Sequence, residues 1–271
     1  MFQSDIASIN PKQKQLAAMK KILDIMQQLR DPESGCPWDI EQTFSTIAPY
    51  TIEEAYEVAD AIEQQDMTGL KSELGDLLFQ VVFHAQIAEE SGYFDFNDVV
   101  DAVSDKMITR HPHVFEANSP RLTAEQQTVA WEQAKSKHKA SVLDGIANNL
   151  PELLKAVKLT KYAAVIGFDW PDINQVFDKL EEEIVELKEA IVEQDNIHIE
   201  EELGDLLFVC ANLARHLKID PSSALRKANH KFEKRFRAVE KLAKAQQPKK
   251  ENFDLKVLDE LWSQVKVELK K

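Results

Sequence analysis

Residues 73–79 read ELGDLLF, and residues 202–208 read ELGDLLF again. Working outward, residues 53–57 read EEAYE and residues 182–186 read EEIVE. Glu54, Glu57, Glu73 and Asp76 each reappear 129 positions later, as Glu183, Glu186, Glu202 and Asp205. Asp and Glu make up 47 of 271 residues. Four matched acids therefore recur by chance roughly once in a thousand alignments, before the shared LGDLLF is counted. Further landmarks follow with a small drift: Lys106 and Arg110 answer to Lys231 and Arg235, 125 positions on. W-x-Q-x-K closes each copy, at 131–135 and 262–266, and Trp38-Asp39 and Asp169-Trp170 precede the acidic runs. The chain is a tandem duplication.

The join falls where the sequence turns to linker chemistry, in the stretch with Gly145, Asn148, Asn149 and Pro151. This predicts an N-terminal copy over 1–143 and a C-terminal copy over 144–271. Within the second copy, Phe177, Leu180, Ile184, Leu187 and Ile191 recur at helical steps. Leu203, Leu206, Leu207, Cys210, Leu213 and Leu217 repeat the pattern, with the leucines expected to face a core. Helices are also predicted over 151–166, 221–244 and about 253–269, the second of these opening on an Asp220-Pro221 cap. Seven glycines in 271 residues leave few tight turns for a many-stranded sheet. The expected fold is all-α: two duplicated, four-helix-bundle-like domains.

Charge narrows the partners. The chain carries 33 Lys and Arg against 47 Asp and Glu, a formal net charge of −14, with no basic block to offset it. Such a surface repels a nucleic-acid backbone or an anionic membrane. Cys36 and Cys210 stand far apart and form no CxxC pair, which fits a reducing compartment. The first residues lack a signal-peptide layout. The most apolar run, 77–87, is broken by Gln80, His84 and Gln86 and is too short to span a bilayer. A cytoplasmic location is expected.

The acidic spacing carries the chemistry. Glu183 and Glu186 share one helical face, as do Glu202 and Asp205 on the next helix. Packing the two helices antiparallel brings four carboxylates together. At ~4 Å and an effective dielectric near 20, each bare like-charge pair costs about 4 kcal/mol. The cluster must bind a cation, take up protons, or fail to converge. Oxygen-only ligands favour a hard divalent ion, Mg²⁺ or Mn²⁺, and such an ion lets an acidic pocket accept a triphosphate. A solvated acidic face is the plain alternative for either motif alone. A di-iron carboxylate bundle would want Glu-x-x-His on two helices, where this chain has Asp76 and Asp205. A non-catalytic helical regulatory protein would explain the duplication but not the fixed acids.

Cations follow each quartet. Lys231 and Arg235 lie four apart on one face and suit phosphate oxygens, the lysine as a point charge and the arginine as a fork. Asn229 stands beside them as a hydrogen-bond donor to sugar or phosphate, and Lys179 lies on the carboxylate strip. Trp262 is either a nucleobase platform or a core plug.

On these residues the chain resembles the two-domain bacterial form of the MazG family of nucleoside triphosphate pyrophosphohydrolases. The resemblance spans nearly the whole chain: GCPWD at 35–39, EEAYE with ELGD, RHPHVF at 110–115, GFDW at 167–170, EEIVE with ELGD, and NHKFEKRF at 229–236. It implies an all-α dimer that converts a nucleoside triphosphate to the monophosphate and pyrophosphate with Mg²⁺. It implies Glu183, Glu186, Glu202 and Asp205 as metal ligands and catalytic residues, Lys231 and Arg235 on the phosphates, and Trp262 near the base. The first copy keeps its acids at 54, 57, 73 and 76. It has Tyr50 where the second has Lys179, and Ser104 where the second has Asn229. The C-terminal copy is therefore expected to be the main catalytic one. The runner-up activity is a related Mg²⁺-dependent hydrolase of diphosphates or nucleotide-sugars.

Overall fold

The computed structural model describes residues 10–116, 123, 126–127, 131, 140–246 and 253–268. The chain divides into two compact units, Met1–Arg121 and Leu122–Lys271. Much of the stretch before the expected join, including Gln133 and Lys135 of the first W-x-Q-x-K, lies outside the described residues. No strand occurs among the described residues; the fold is all-α, as the periodicity predicts.

The first unit holds α1 (Pro11–Leu29), the short α2 (Pro37–Glu41), α3 (Phe44–Gln64), α4 (Met67–Glu90), α5 (Phe96–Arg110) and the short α6 (Pro112–Phe115). α3 and α4 form a long hairpin, and α1 and α5 pack on α4. The second unit holds α7 (Glu152–Val165), α8 (Ile173–Glu193), α9 (Asn196–His216), α10 (Pro221–Gln246) and α11 (Leu255–Glu268). Here α8 and α9 form the hairpin, α7 packs on α9, and α11 packs on α10.

Both hairpins turn by the same device. Gln65 and Gln194 end α3 and α8 in the left-handed region, at φ 58° and 59°. That conformation, costly for a side chain bearing Cβ, reverses the chain at once. Asp66 and Asp195 then cap the next helix: Asp66 accepts from the Thr68 and Gly69 N–H groups, and Asp195 from those of Ile197 and His198. A turn of fixed geometry fixes the register of everything beyond it. Glu186 and Glu202 each stand eight residues from Gln194, while Glu183 and Asp205 each stand eleven. At 1.5 Å per residue the first pair sits about 12 Å from the turn and the second about 16 Å. The quartet is thus built as two rungs across the hairpin.

Burial holds each unit together. Met26, Ile47, Val82, Phe83 and Ile87 form the core of the first. Val239, Ala243, Leu261 and Val265 join α10 to α11 in the second. Each large apolar side chain buried there contributes about 1.5–3 kcal/mol. One expectation is corrected: Leu203 and Leu207 do not face the core but stand about half exposed, as do Phe177 and Ile191. The smaller Val176, Ala190, Val209 and Ala211 are the buried apolar residues of the α8–α9 hairpin. Close approach of two helices selects small side chains at the seam. The bulkier ones are left on an outer apolar face.

Candidate active site

Both hairpins bring carboxylates together. In the second unit, Glu183, Glu202 and Asp205 offer oxygens that all lie within 4.8 Å of one another. In the first, Glu54, Glu57 and Glu73 do the same. Glu186 and Asp76, the fourth member of each expected quartet, stand outside these triads but feel them. Burial pushes the Glu186 carboxyl up, and the charges of Glu183 and Glu202 push the same way against Lys179. The Asp76 charge likewise raises Glu54 and Glu73.

The two clusters solve the repulsion problem differently. In the first, burial and the neighbouring carboxylates raise Glu54, and burial together with a hydrogen bond to Glu57 raises Glu73. Both shifts favour the protonated form of these carboxyls. In the second, a lysine reaches the deepest carboxylate. Glu183 is only 3% exposed, and Lys179 Nζ reaches its carboxylate at 2.8 Å while also donating to Glu182 at 2.7 Å. Those bonds, to Glu182 first and Glu183 second, push the lysine further toward its charged form. His198 Nε2 lies 2.9 Å from Glu202 Oε1. Sequence reasoning missed His198; the available signal was its position four residues before Glu202. The first copy has Gly69 there and Tyr50 in place of Lys179, so it has neither the histidine nor the lysine.

An all-oxygen donor set, with one member almost wholly buried and already paired to a lysine, fits a hard divalent cation. Gln80 adds a feature to the first cluster. It lies one turn past Asp76, is buried, and its Oε1 has no hydrogen-bond partner; Val209 occupies the matching place in the second copy.

The expected phosphate-binding residues all lie on α10, whose first turn Asp220 caps by accepting from the Ser223 N–H. Asn229 and Lys231 are exposed and Arg235 is half-buried. Among the described residues no hydrogen bond or ion pair joins them to the carboxylates. Lys106 and Arg110 take the matching places on α5. Trp262 is half-buried against the α10–α11 core, with its ring 5.3 Å from that of Phe232, which in turn stacks on Phe236 at 5.8 Å. That packing supports the core-plug alternative. A brace beside the site was not anticipated: Arg215 of α9 donates through Nη1 to Asp169 at 2.9 Å and through Nε to Asn212 at 2.8 Å. Burial raises the Asp169 carboxyl, but the Arg215 hydrogen bonds and the Arg215 and His216 charges bring it below its ordinary value.

Paired helical hairpins that each display a carboxylate cluster define the class: a duplicated, all-α protein with acid-cluster sites. The MazG nucleotide pyrophosphohydrolase domain matches residues 42–115 and 173–239, one segment in each copy. The chain is 51% identical over 255 residues to the nucleoside triphosphate pyrophosphohydrolase of Escherichia coli K12, covering 91% of this chain and 96% of that protein. It is 44% identical over 247 residues to the nucleoside triphosphate pyrophosphohydrolase/pyrophosphatase MazG of Thermotoga maritima, covering 91% and 95%. A Mycobacterium tuberculosis nucleoside triphosphate pyrophosphohydrolase shares 36% over 152 residues, 55% of this chain and 46% of that protein. The chain belongs to the MazG family.

Proposed function

We propose that this chain hydrolyses nucleoside triphosphates to the monophosphate and pyrophosphate, chiefly in its C-terminal unit, with Mg²⁺ as the resident ion and Mn²⁺ as a substitute. The observation that carries the reading is the convergence of Glu183, Glu202 and Asp205 across one hairpin to within 4.8 Å. The names of the relatives support the reaction.

The roles follow from position. Glu183, Glu202 and Asp205 hold the ion, with Glu186 completing the rung beside Glu202. Held by these carboxylates, a divalent ion would supply Lewis-acid chemistry toward phosphate oxygens and water. One of the four carboxylates takes the proton of the attacking water. Lys179, already beside Glu183, supplies positive charge to the polyphosphate, as do Lys231 and Arg235; Asn229 donates to sugar or phosphate. Trp262 is assigned to the α10–α11 core. The N-terminal carboxylates Glu54, Glu57, Glu73 and Asp76 form a secondary metal site. The exposed apolar side chains of the hairpins, among them Leu203, Leu207 and Ile191, support a homodimer. No helix among the described residues is long and apolar enough to cross a membrane. We assign the protein to the cytoplasm, with nucleoside triphosphates rather than nucleic acid or membrane as its partners.

The test is product analysis. Each nucleoside triphosphate is incubated with the protein, with and without Mg²⁺, and followed by phosphorus NMR. Monophosphate with pyrophosphate is the expected outcome. Diphosphate with orthophosphate, or turnover indifferent to metal, rejects the reading.

A further inference from the structure

The α4 residues Glu73, Asp76, Gln80, Phe83 and Ile87 follow one another at alternating steps of three and four, the spacing of a single helical stripe. The stripe changes character along its length. Phe83 and Ile87 lie in the core with Met26 and Ile47, whereas Glu73 belongs to the carboxylate triad with Glu54 and Glu57. Gln80 stands at the border between core and acids. It is 8% exposed, and its Oε1 has no hydrogen-bond partner among the described residues.

Two considerations aim that oxygen at the acids. Side chains on a helix lean toward its N-terminus, which carries the Gln80 amide back along α4 toward Asp76, one turn or about 6 Å away. On its other side the stripe is apolar, with Phe83 and Ile87 offering no donor. Asp76 in turn stands level with Glu54 across the hairpin, each eleven residues from Gln65. Carboxylates are acceptors, as the amide oxygen is, so a cation is what pairs with both. The second copy keeps the acids but not the amide. Val209 fills the matching place there, 4% exposed, so the hairpin packs at this point without a polar atom.

We infer that the Gln80 amide oxygen is a ligand of a divalent cation held by the first-unit carboxylates, and that it makes this site select Ca²⁺ over Mg²⁺. The inference rests on the reading of Glu54, Glu57, Glu73 and Asp76 as a secondary metal site and gives that site its ion. Ca²⁺ takes about six to eight oxygens in flexible geometry, amide carbonyls among them, whereas Mg²⁺ keeps several of its waters and takes one or two carboxylates. An added carbonyl ligand from the protein therefore favours the larger ion. Two copies of one hairpin thus hold different ions, the first for structure and the second for chemistry.

The test titrates Ca²⁺ and Mg²⁺ separately into the full chain by calorimetry, with Glu202→Gln and Asp205→Asn in place to disable the second cluster. Ca²⁺ is expected to bind at least about tenfold more tightly than Mg²⁺. Gln80→Val, which installs the residue of the second copy, weakens Ca²⁺ at least about tenfold and Mg²⁺ by less than about threefold. It also abolishes most of the rise in melting midpoint that Ca²⁺ produces. Gln80→Glu keeps an oxygen at the same place and binds Ca²⁺ at least as tightly as the unsubstituted site, which carries the test if Q80V does not fold. Tighter binding of Mg²⁺ than of Ca²⁺, or weaker Ca²⁺ binding in Q80E, overturns the inference. Ion binding that is lost in Glu54→Gln with Glu73→Gln but is indifferent to both Gln80 variants leaves the secondary metal site standing and sinks the role of Gln80. Binding of neither ion sinks both.

Discussion

Lys179 holds the buried Glu183 carboxylate at 2.8 Å from one helical turn away, so the deepest acid of the second cluster has a counter-charge before any metal arrives. His198 Nε2 lies 2.9 Å from Glu202 Oε1. An incoming cation therefore has to compete with Lys179 for the Glu183 carboxylate. The first cluster has no such stand-ins.

That contrast predicts the behaviour of Lys179→Met. Removing the ammonium leaves Glu183 as an uncompensated buried charge, at a cost of about 2–3 kcal/mol. The metal-free melting midpoint should fall by roughly 4–10 °C. Mg²⁺ should then raise it further in the variant than in the wild type, because binding to the folded form stabilises in proportion to affinity and the competitor is gone. Calorimetry with and without Mg²⁺ measures both. An unchanged Mg²⁺ shift would show that Lys179 and the ion do not share the site.

A second prediction concerns which copy turns over substrate. Glu186→Ala and Glu57→Ala make the same cut in the two hairpins. Pyrophosphate release should drop about 100-fold or more in the first variant, as expected for loss of a group supporting metal catalysis, and less than about threefold in the second. Equal losses would refute the assignment of the C-terminal unit as the working copy.

The duplication, the all-α fold and the acidic landmarks were legible because repeated spacing reports a repeated helical hairpin, though not which three of its four acids converge. The turn that sets the register was legible in principle: Gln-Asp occurs at both 65–66 and 194–195, but a left-handed glutamine leaves no strong mark in composition. Leu203 and Leu207 misled because periodicity reports an apolar face without saying what covers it. His198 was hidden by context: a histidine four residues before a glutamate is common, and only the neighbouring acids give it a role. A cleft of about 490 Å³ in the second unit, lined by Leu159, Phe168, Trp170, Phe208 and Asn212 among others, was beyond sequence reasoning. It depends on α7, on the loop before α8 and on α9 meeting around a residue that the first copy replaces with phenylalanine.

The first cluster predicts a pH dependence with a definite sign. Glu54 and Glu73 hold protons more tightly in the folded state than their ordinary value of 4.5. Folding therefore gains from them below that value and loses the gain as pH rises through their elevated ones. Without metal, the melting midpoint should decline from about pH 4.5 toward neutrality, and Glu54→Gln combined with Glu73→Gln should flatten the decline. Mg²⁺ at about pH 7 should recover part of the loss in the wild type but not in the double variant. Parallel slopes in the two proteins would mean that these carboxylates do not control the transition.

Gly204 sits between Glu202 and Asp205 in the middle of α9 and costs that helix about 1 kcal/mol relative to alanine. A Cβ built there meets nothing within 4 Å, and the same holds at Gly75 in the first copy. On the chain alone, Gly204→Ala should therefore raise the melting midpoint by roughly 2–4 °C. The open space beside the acids has a use if substrate or a second copy approaches the hairpin there. In that case G204A gains stability and loses turnover together, with KM rising if the substrate is crowded and the sedimentation-derived dimer constant weakening if the second copy is. A variant that is more stable, fully active and as dimeric as the wild type would show that nothing comes close to the helix at this point.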